Sequence, residues 1–200
     1  MKKSFFATLF ILLAVSAVFG QQTDVSGFYQ TSIKTNTTGM YVLGGWAIAN
    51  IAGGAVGWAN SGGSTKYFHQ MNLFWNTVNL GIAGFAFYNN LNSSISGLTD
   101  SMMMQKHIKT ENLYLINAGL DLIYIGTGFF LKHLSTNSPK RKDILFGYGN
   151  SVVVQGGFLL VFDLIMWGVQ HNHRLDFLAN ASFSFQQNLD FKEIALNIRF

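Results

Sequence analysis

The chain contains no cysteine, which excludes disulfide bonds, thiolate metal sites and a cysteine nucleophile. Proline occurs once, and charged residues make up only 11% of the 200 residues. The sequence also lacks a nucleophile–base constellation, a glycine-rich phosphate loop and a pair of histidines four residues apart. These absences give no support to an enzyme, and we expect no cofactor and no bound metal.

The composition instead favours a membrane protein, because 49% of the residues are hydrophobic. Four apolar runs of similar length cover residues 39–59, 70–90, 112–132 and 150–170. A helix of about twenty residues crosses a bilayer core of roughly 30 Å. The sequence therefore predicts an all-α membrane protein, an antiparallel bundle of four transmembrane helices.

The N-terminal residues have the three zones of a secretory signal peptide. Lys2 and Lys3 precede an apolar run over residues 5–19, and small residues lead up to Gly20. We predict a signal peptide over residues 1–20; an uncleaved anchor is the alternative. Both interpretations place the polar tail of residues 21–38 outside the cytoplasm.

If the N-terminal tail is external, four spans place the loops 60–69 and 134–149 on the cytoplasmic side of the membrane and the loop 91–111 on the external side. The cluster of Lys and Arg at residues 140–142 falls in an inner loop, as the positive-inside rule requires. We read this cluster as a topology signal, so the net charge of +4 does not indicate a nucleic-acid partner. The predicted location is the bacterial inner membrane, with the bilayer as the first partner and both termini external.

Residues 171–200 differ in pattern from the spans. Apolar and polar residues alternate over 181–186 and again over 194–200, and residues 187–190 suit a turn. This pattern predicts a short external β-hairpin. The alternative is the last strand of an outer-membrane barrel, whose lipid-facing side has the same alternation.

All four spans carry rows of small or polar residues, which allow helices to pack closely in lipid. In the first span Gly45, Ala49, Gly53 and Gly57 recur every four residues, and we predict that this row packs against another helix. In the fourth span Gly149, Gly156, Asp163 and Gln170 recur every seven residues. The second span has a polar row that includes Asn72, Asn76 and Asn79, and the third span has one that includes Asn117 and Asp121. Each span is therefore predicted to have an inward face.

Polar residues on these inward faces form a candidate intramembrane site. An Asp at the centre of a span costs on the order of 3 kcal/mol by insertion scales, so two unpaired carboxylates are unfavourable there. The side chains either bond neighbouring helices as neutral groups, or bind a proton or cation, or border an apolar ligand. The candidate residues are Asn50, Asn76, Asn79, Asn117, Asp121, Gln155 and Asp163.

Two further groups of residues could bind metals but have simpler interpretations. His171 and His173, with Asp176, could bind a metal if their segment were extended, since residues two apart share a strand face. Polar residues at the end of a span are the simpler interpretation. Met102, Met103 and Met104 with His107 offer soft ligands that suit copper. An apolar patch on the membrane surface explains the methionines better.

The spans resemble a family of small four-helix membrane proteins from bacteria with two membranes, a domain of unknown function. The segments WNTVNLGIAGFAFYNN, LINAGLDLIYIGTGFFLK and VVVQGGFLLVFDLIMW carry the resemblance, together with the signal peptide. The resemblance covers roughly residues 39–173. It implies the four-helix architecture and an envelope location, and no activity.

Two functions are compatible with these features. The first is a non-enzymatic structural or partner-binding component of the envelope, acting through its external hairpin on another protein or on a second copy of the chain. The alternative is a small ion- or proton-coupled transporter or channel that uses Asp121 and Asp163.

Overall fold

The structure is a computed structural model that describes residues 24–197, with side chains described for residues 24–181. The predicted signal peptide lies outside the described residues. Within them the chain forms four α-helices, with a short 3-10 turn at Pro139–Arg141 before the last. The helices are α1 (Val25–Asn60), α2 (Gly63–Leu91), α3 (Asp100–Thr136) and α4 (Lys142–Asn197).

Local chemistry sets several helix boundaries. The Asp24 carboxylate accepts a hydrogen bond from the Gly27 amide at 2.8 Å and caps α1. The Thr99 hydroxyl accepts from the Met102 amide at 3.3 Å and caps α3. Gly63 has a φ of +56°, which only glycine adopts readily, and so permits the tight connection between α1 and α2.

The helices form two antiparallel hairpins, α1–α2 and α3–α4, and the two hairpins pack against each other. At the end that holds the α1–α2 connection and the 3-10 turn, Gly147 of α4 packs on the backbone of α2 at Phe68. We call this the basic end, because Lys140, Arg141 and Lys142 lie there. The opposite end, called the Glu111 end, joins α1 to α3 and α4 through residues such as Ser32.

The predicted β-hairpin is wrong, because α4 continues as a helix through residues 171–197 and no described residue lies in a strand. The sequence after Gly168 contains neither Gly nor Pro, so nothing interrupts the helix that begins in the apolar span. Gln170 and Arg174 are one helical turn apart and bind α1 and α3 respectively, which fixes the helical register. An isolated two-stranded hairpin would be marginal in comparison.

The polar tail predicted at residues 21–38 is also corrected, because α1 begins at Val25 and contains most of it. Phe28, Tyr29 and Ser32 are buried against the other helices. Similarly, the predicted outer loop of residues 91–111 is reduced to residues 92–99, since α3 begins at Asp100. The helices are longer than the spans because polar residues outside a bilayer core can continue the same helix.

Among the described residues, three helices are long and apolar enough to cross a membrane, rather than the four predicted. They are the α1 helix Val25–Asn60, the α3 helix Asp100–Thr136 and the segment Pro139–Ala181. Helix α2, at about 43 Å, is long enough for a span, but its row of asparagines lowers its mean hydropathy.

The predicted packing row of α1 is wrong except at its last residue. A Cβ atom added to Gly45 or Gly53 would meet no atom of the described chain within 4 Å, and Ala49 is exposed, whereas Gly57 packs on the His69 ring. Residues spaced by four turn about 40° further around a helix at each step, so such a row leaves the interface. The row that faces the bundle alternates steps of four and three, at residues 43, 47, 50, 54 and 57.

The seven-residue row of α4 is confirmed. Gly149, Gly156, Asp163 and Gln170 are all buried, because a mean spacing of 3.5 residues keeps a row on one side of a helix. Gly149 approaches Gly128 of α3 so closely that a Cβ atom on Gly149 would lie 2.6 Å from the Gly128 carbonyl oxygen. The polar row of α2 is likewise inward, with Asn72, Asn76 and Asn79 buried.

Candidate functional site

The bundle has an unusually polar interior and an apolar exterior, because its buried side chains are polar about as often as they are hydrophobic. Fully buried side chains include the amides of Asn76 and Gln155, each 0% exposed. Large apolar side chains such as Phe85 and Val161 are exposed at 71% and 57%. This distribution suits a protein surrounded by lipid, in which polar groups bond across helices and apolar groups face the hydrocarbon.

An amide network joins α1, α2 and α4 in the half of the bundle nearer the basic end. The Asn72 amide donates to the Asn50 side-chain oxygen at 2.8 Å, and the Gln155 amide donates to the side-chain oxygen of Asn72. The indole of Trp46 donates to the Gln155 side-chain oxygen at 2.9 Å. Each of these groups finds its partner on another helix, so the network needs no ligand to satisfy it.

We expect Gln155→Leu to reduce the free energy of unfolding by about 1 kcal/mol, the typical size of a polar contact between helices in lipid. The indole of Trp46 and the amide of Asn72 would both lose a partner. Titration with a denaturing detergent measures the effect. Thr77→Ala removes only a bond to its own helix at Leu73 and is the control; an equal loss in both variants would contradict the role of the network.

Asn76 and Asn79 continue this polar row along α2 towards the carboxylates. The Asn76 amide donates to the Asn72 backbone carbonyl at 2.8 Å, and the Asn79 amide donates to the Asn76 side-chain oxygen at 3.4 Å. Both asparagines are buried. Asn79 also lines a neighbouring cavity and therefore connects the amide network to it.

Two carboxyl groups face each other between α3 and α4. Asp121 is 2% exposed and Asp163 is 5% exposed, and the two groups are close enough to interact electrostatically. The Asn117 side chain contacts the Asp163 carboxyl, whereas Oδ2 of Asp121 has no hydrogen-bond partner within the described part of the chain. The structure thus brings the two predicted aspartates together and leaves one buried oxygen able to accept a bond.

A cavity of about 270 Å³ lies beside this carboxyl pair. All four helices contribute to its wall, which includes Asn79, Asn117, Asp121 and Asp163 among the predicted residues. Asn50, Asn76 and Gln155 lie outside the cavity wall, within or beside the amide network. The seven predicted residues consequently form two adjoining groups, one satisfied by its own hydrogen bonds and one open to a cavity.

A second polar cluster, at the Glu111 end, was not predicted. Glu111 is 4% exposed, and its carboxylate accepts bonds from the Arg174 guanidinium at 2.7 and 3.0 Å. His171 Nδ1 lies 2.6 Å from the same carboxylate. The cluster ties α3 to α4 just beyond the predicted spans. The sequence signal was weak, since Glu111 and Arg174 look like ordinary charges at the ends of spans.

His107 extends the cluster to α1. Its Nδ1 lies 2.8 Å from the Ser32 hydroxyl, which is also 3.2 Å from the Gln170 side-chain oxygen. Ser32, His107 and Glu111 thus follow one another in the order of a nucleophile, a base and an acid. Ser32 is only 3% exposed and the His107 Nε2–Glu111 distance is 3.8 Å, so the arrangement is a buried structural link rather than a reactive serine.

The residues considered for metal binding have other contacts. His171 binds Glu111, and His173 Nε2 lies 3.0 Å from the backbone oxygen of Phe28. Met103 is buried in an apolar cluster with Phe28 and Tyr29. Among the described residues, no three His, Asp or Glu side chains are grouped closely enough to hold a metal ion.

The fold and the site define a small helical bundle with three membrane-crossing candidates in its described residues, an apolar exterior and a partly polar interior. The chain belongs to a family of unknown function, DUF6992, whose model matches residues 42–164. The match covers α2 and α3 completely, the second half of α1, the first part of α4 and both predicted aspartates. No curated protein and no solved structure matches the chain.

Proposed function

We propose that this chain is an integral membrane protein in which all four helices cross the bilayer. The outward face of α2 supports this proposal, since Val78 and Phe85 are exposed at 62% and 71%. The asparagines that lower its mean hydropathy face the bundle interior instead. A helix of this kind can reside in lipid because its polar groups bond to other helices.

We place the basic end on the cytoplasmic side of a bacterial inner membrane. Lys140, Arg141 and Lys142 lie at that end, close to Lys132, and an excess of positive charge marks cytoplasmic loops. With an even number of spans, the start of α1 and the continuation of α4 are both external. The Glu111 cluster then lies near the external surface.

We infer that the bundle interior binds a cation at Asp121 and Asp163, as an ion-coupled transporter or channel would. The unpartnered Oδ2 of Asp121, buried opposite the Asp163 carboxyl at the cavity, carries this proposal. The described residues that line the cavity include no Lys or Arg to offset the two acids. Charged side chains inside a membrane are costly without a partner, and a bound cation would supply one.

The test is the melting temperature of the purified protein in detergent, measured across a panel of cations. A ligand at 100 times its Kd stabilises the native state by about 2.7 kcal/mol, so the melting temperature should rise with concentration. Asp121→Asn and Asp163→Asn should abolish the rise. Without any cation, Asp163→Asn should be at least as stable as the parent, because its side-chain amide can donate a hydrogen bond to the Asp121 carboxyl group.

Asp143→Asn is the matched control, since Asp143 is an exposed carboxylate at the basic end of the same helix as Asp163. It should keep the full response to cations. If no cation raises the melting temperature of the parent, or if all three variants respond alike, the proposed cation site is refuted.

The competing function is a structural or partner-binding component of the envelope, also without enzymatic activity. The amide network of Asn50, Asn72 and Gln155 favours it, because these polar groups stabilise the bundle without a ligand. Its partner would be another envelope protein or a second copy of the chain. The absence of any cation response would leave this function as the better explanation.

A further inference from the structure

The cavity beside the carboxyl pair opens sideways, between α2 and α3. Helices α2 and α3 make few backbone contacts with each other. Within each hairpin, α1 packs closely against α2, and α3 packs closely against α4. Val78 and Ile82 of α2 and Leu120 of α3 line the cavity and are exposed at 62%, 55% and 42%. In a bilayer this opening faces hydrocarbon, so an apolar group can enter it without meeting water.

Aromatic rings border the cavity on both sides of the carboxyl pair along α3. The rings of Trp75 and Tyr124 lie edge to face with centroids 4.9 Å apart. Those of Tyr114 and Phe162 lie edge to face at 6.3 Å. Aromatic faces attract cations, and the attraction is strongest where water is excluded.

The carboxyl pair supplies the matching charge. Oδ2 of Asp121 has no hydrogen-bond partner among the described residues although Asp121 is 2% exposed, and Asp121 lines the cavity. A buried acceptor without a donor is unfavourable, so this atom is a specific indication that a donor binds here. A donor that also carries positive charge would satisfy the atom and offset the single negative charge that remains when the two carboxyl groups share one proton.

A metal ion fits this cavity poorly. Calcium needs six to eight oxygen ligands at 2.3–2.6 Å, whereas most of the cavity wall is aliphatic or aromatic. The volume of about 270 Å³ is larger than one ion requires, yet below the roughly 300–1,000 Å³ of sites for drug-sized ligands. An organic cation with several non-hydrogen atoms suits both the volume of this cavity and its largely apolar wall.

We propose that this cavity binds a small primary ammonium ion with an apolar substituent, a class of ligand that deepens the proposed cation site and rests on it. The ammonium group donates to Asp121 and Asp163 and lies near the aromatic rings of Trp75 and Tyr124. The apolar substituent lies in the lateral opening between Val78, Ile82 and Leu120.

The test uses n-butylammonium as the probe, with Na⁺, K⁺ and Ca²⁺ as inorganic cations and n-butanol as the uncharged analogue. Binding is measured as the rise in melting temperature of the full chain in detergent and by calorimetric titration. We expect saturable binding of n-butylammonium and no effect of n-butanol at equal concentration. Asp121→Asn and Asp163→Asn should each weaken binding at least tenfold.

The aromatic contribution is tested on Trp75. Trp75→Leu removes the ring and should weaken binding of n-butylammonium about fivefold or more, whereas Trp75→Phe keeps a ring and should restore most of it. Phe85→Leu is the matched control, because Phe85 lies on the same helix and is 71% exposed outside the cavity. It should bind as the parent does.

The outcomes separate this inference from the cation site on which it rests. If inorganic cations stabilise the protein through the aspartates and n-butylammonium does not, the cation site stands and the ammonium ligand is refuted. If n-butylammonium acts equally on the parent and on both aspartate variants, or n-butanol acts as strongly, the ligand is refuted as well. If no cation binds, both proposals are refuted.

Discussion

Replacing Glu111 with alanine is expected to lower the free energy of unfolding by about 1.5–3 kcal/mol, the range for hydrogen bonds to charged groups, because the Arg174 guanidinium that loses its partner is only partly buried. Glu111 is 4% exposed and binds both Arg174 and His171, so its loss leaves a guanidinium without its partner. Detergent-denaturation titration of the purified protein measures the change. Asp176→Ala is the control, because Asp176 is exposed on α4 and should change stability by less than about 0.5 kcal/mol.

A double replacement that removes both charges identifies the cause of the loss. Replacing Glu111 and Arg174 together with leucine removes both charges, and buried pairs replaced in this way often lose little stability. The double variant should therefore be more stable than Glu111→Ala alone. If the single and double replacements lower the free energy of unfolding equally, the ion pair does not account for the loss. The loss would then come from the packing of α3 against α4 at this end.

Gly149→Ala should destabilise the bundle by about 3 kcal/mol, since overpacking at a tight contact costs roughly 1–3 kcal/mol or more. The added Cβ atom would lie 2.6 Å from the Gly128 carbonyl oxygen and 3.1 Å from the Lys132 amide nitrogen. Both are backbone atoms of α3, so relief requires the two helices to separate. The same denaturation titration measures the loss.

Gly157→Ala is the matched control on the same helix. A Cβ atom placed on Gly157 would have no atom of the described residues within 4 Å, so alanine should be tolerated and should stabilise the helix by up to about 1 kcal/mol. Opposite signs for the two glycine replacements would support close approach of α3 and α4 at Gly149. A similar loss at both positions would show instead that glycine itself, and not the contact, matters on α4.

The local pattern predicted the inward faces of α2 and α4 correctly. Asn72, Asn76 and Asn79 are buried, as is the row from Gly149 to Gln170. These rows have a mean spacing near 3.5 residues, which keeps side chains on one side of a helix over several turns. The four-residue row of α1 lacks this property, and Gly45 and Gly53 face outward as a result.

The alternation that predicted a β-hairpin at residues 171–200 was misleading for a physical reason. Two alternating segments can pair as a hairpin, but two strands without a third strand or a covering surface are only marginally stable. Here the segment follows an apolar span without a helix breaker, and Gln170, His171 and Arg174 are held by α1 and α3. Gln170 and His171 each lie about one helical turn before Arg174. All of these contacts can therefore form together only if this segment is helical.

The sequence by itself determined the apolar helices, the polar faces within them and the two aspartates on those faces. These properties depend on neighbouring residues and on the 3.6-residue period of a helix, so they can be read along the chain. Only the tertiary structure decided which faces meet: that Asp121 faces Asp163 at a cavity, and that Glu111 binds Arg174 across 63 positions of the chain. Such contacts depend on how the helices cross and how closely they approach, which a local pattern does not specify.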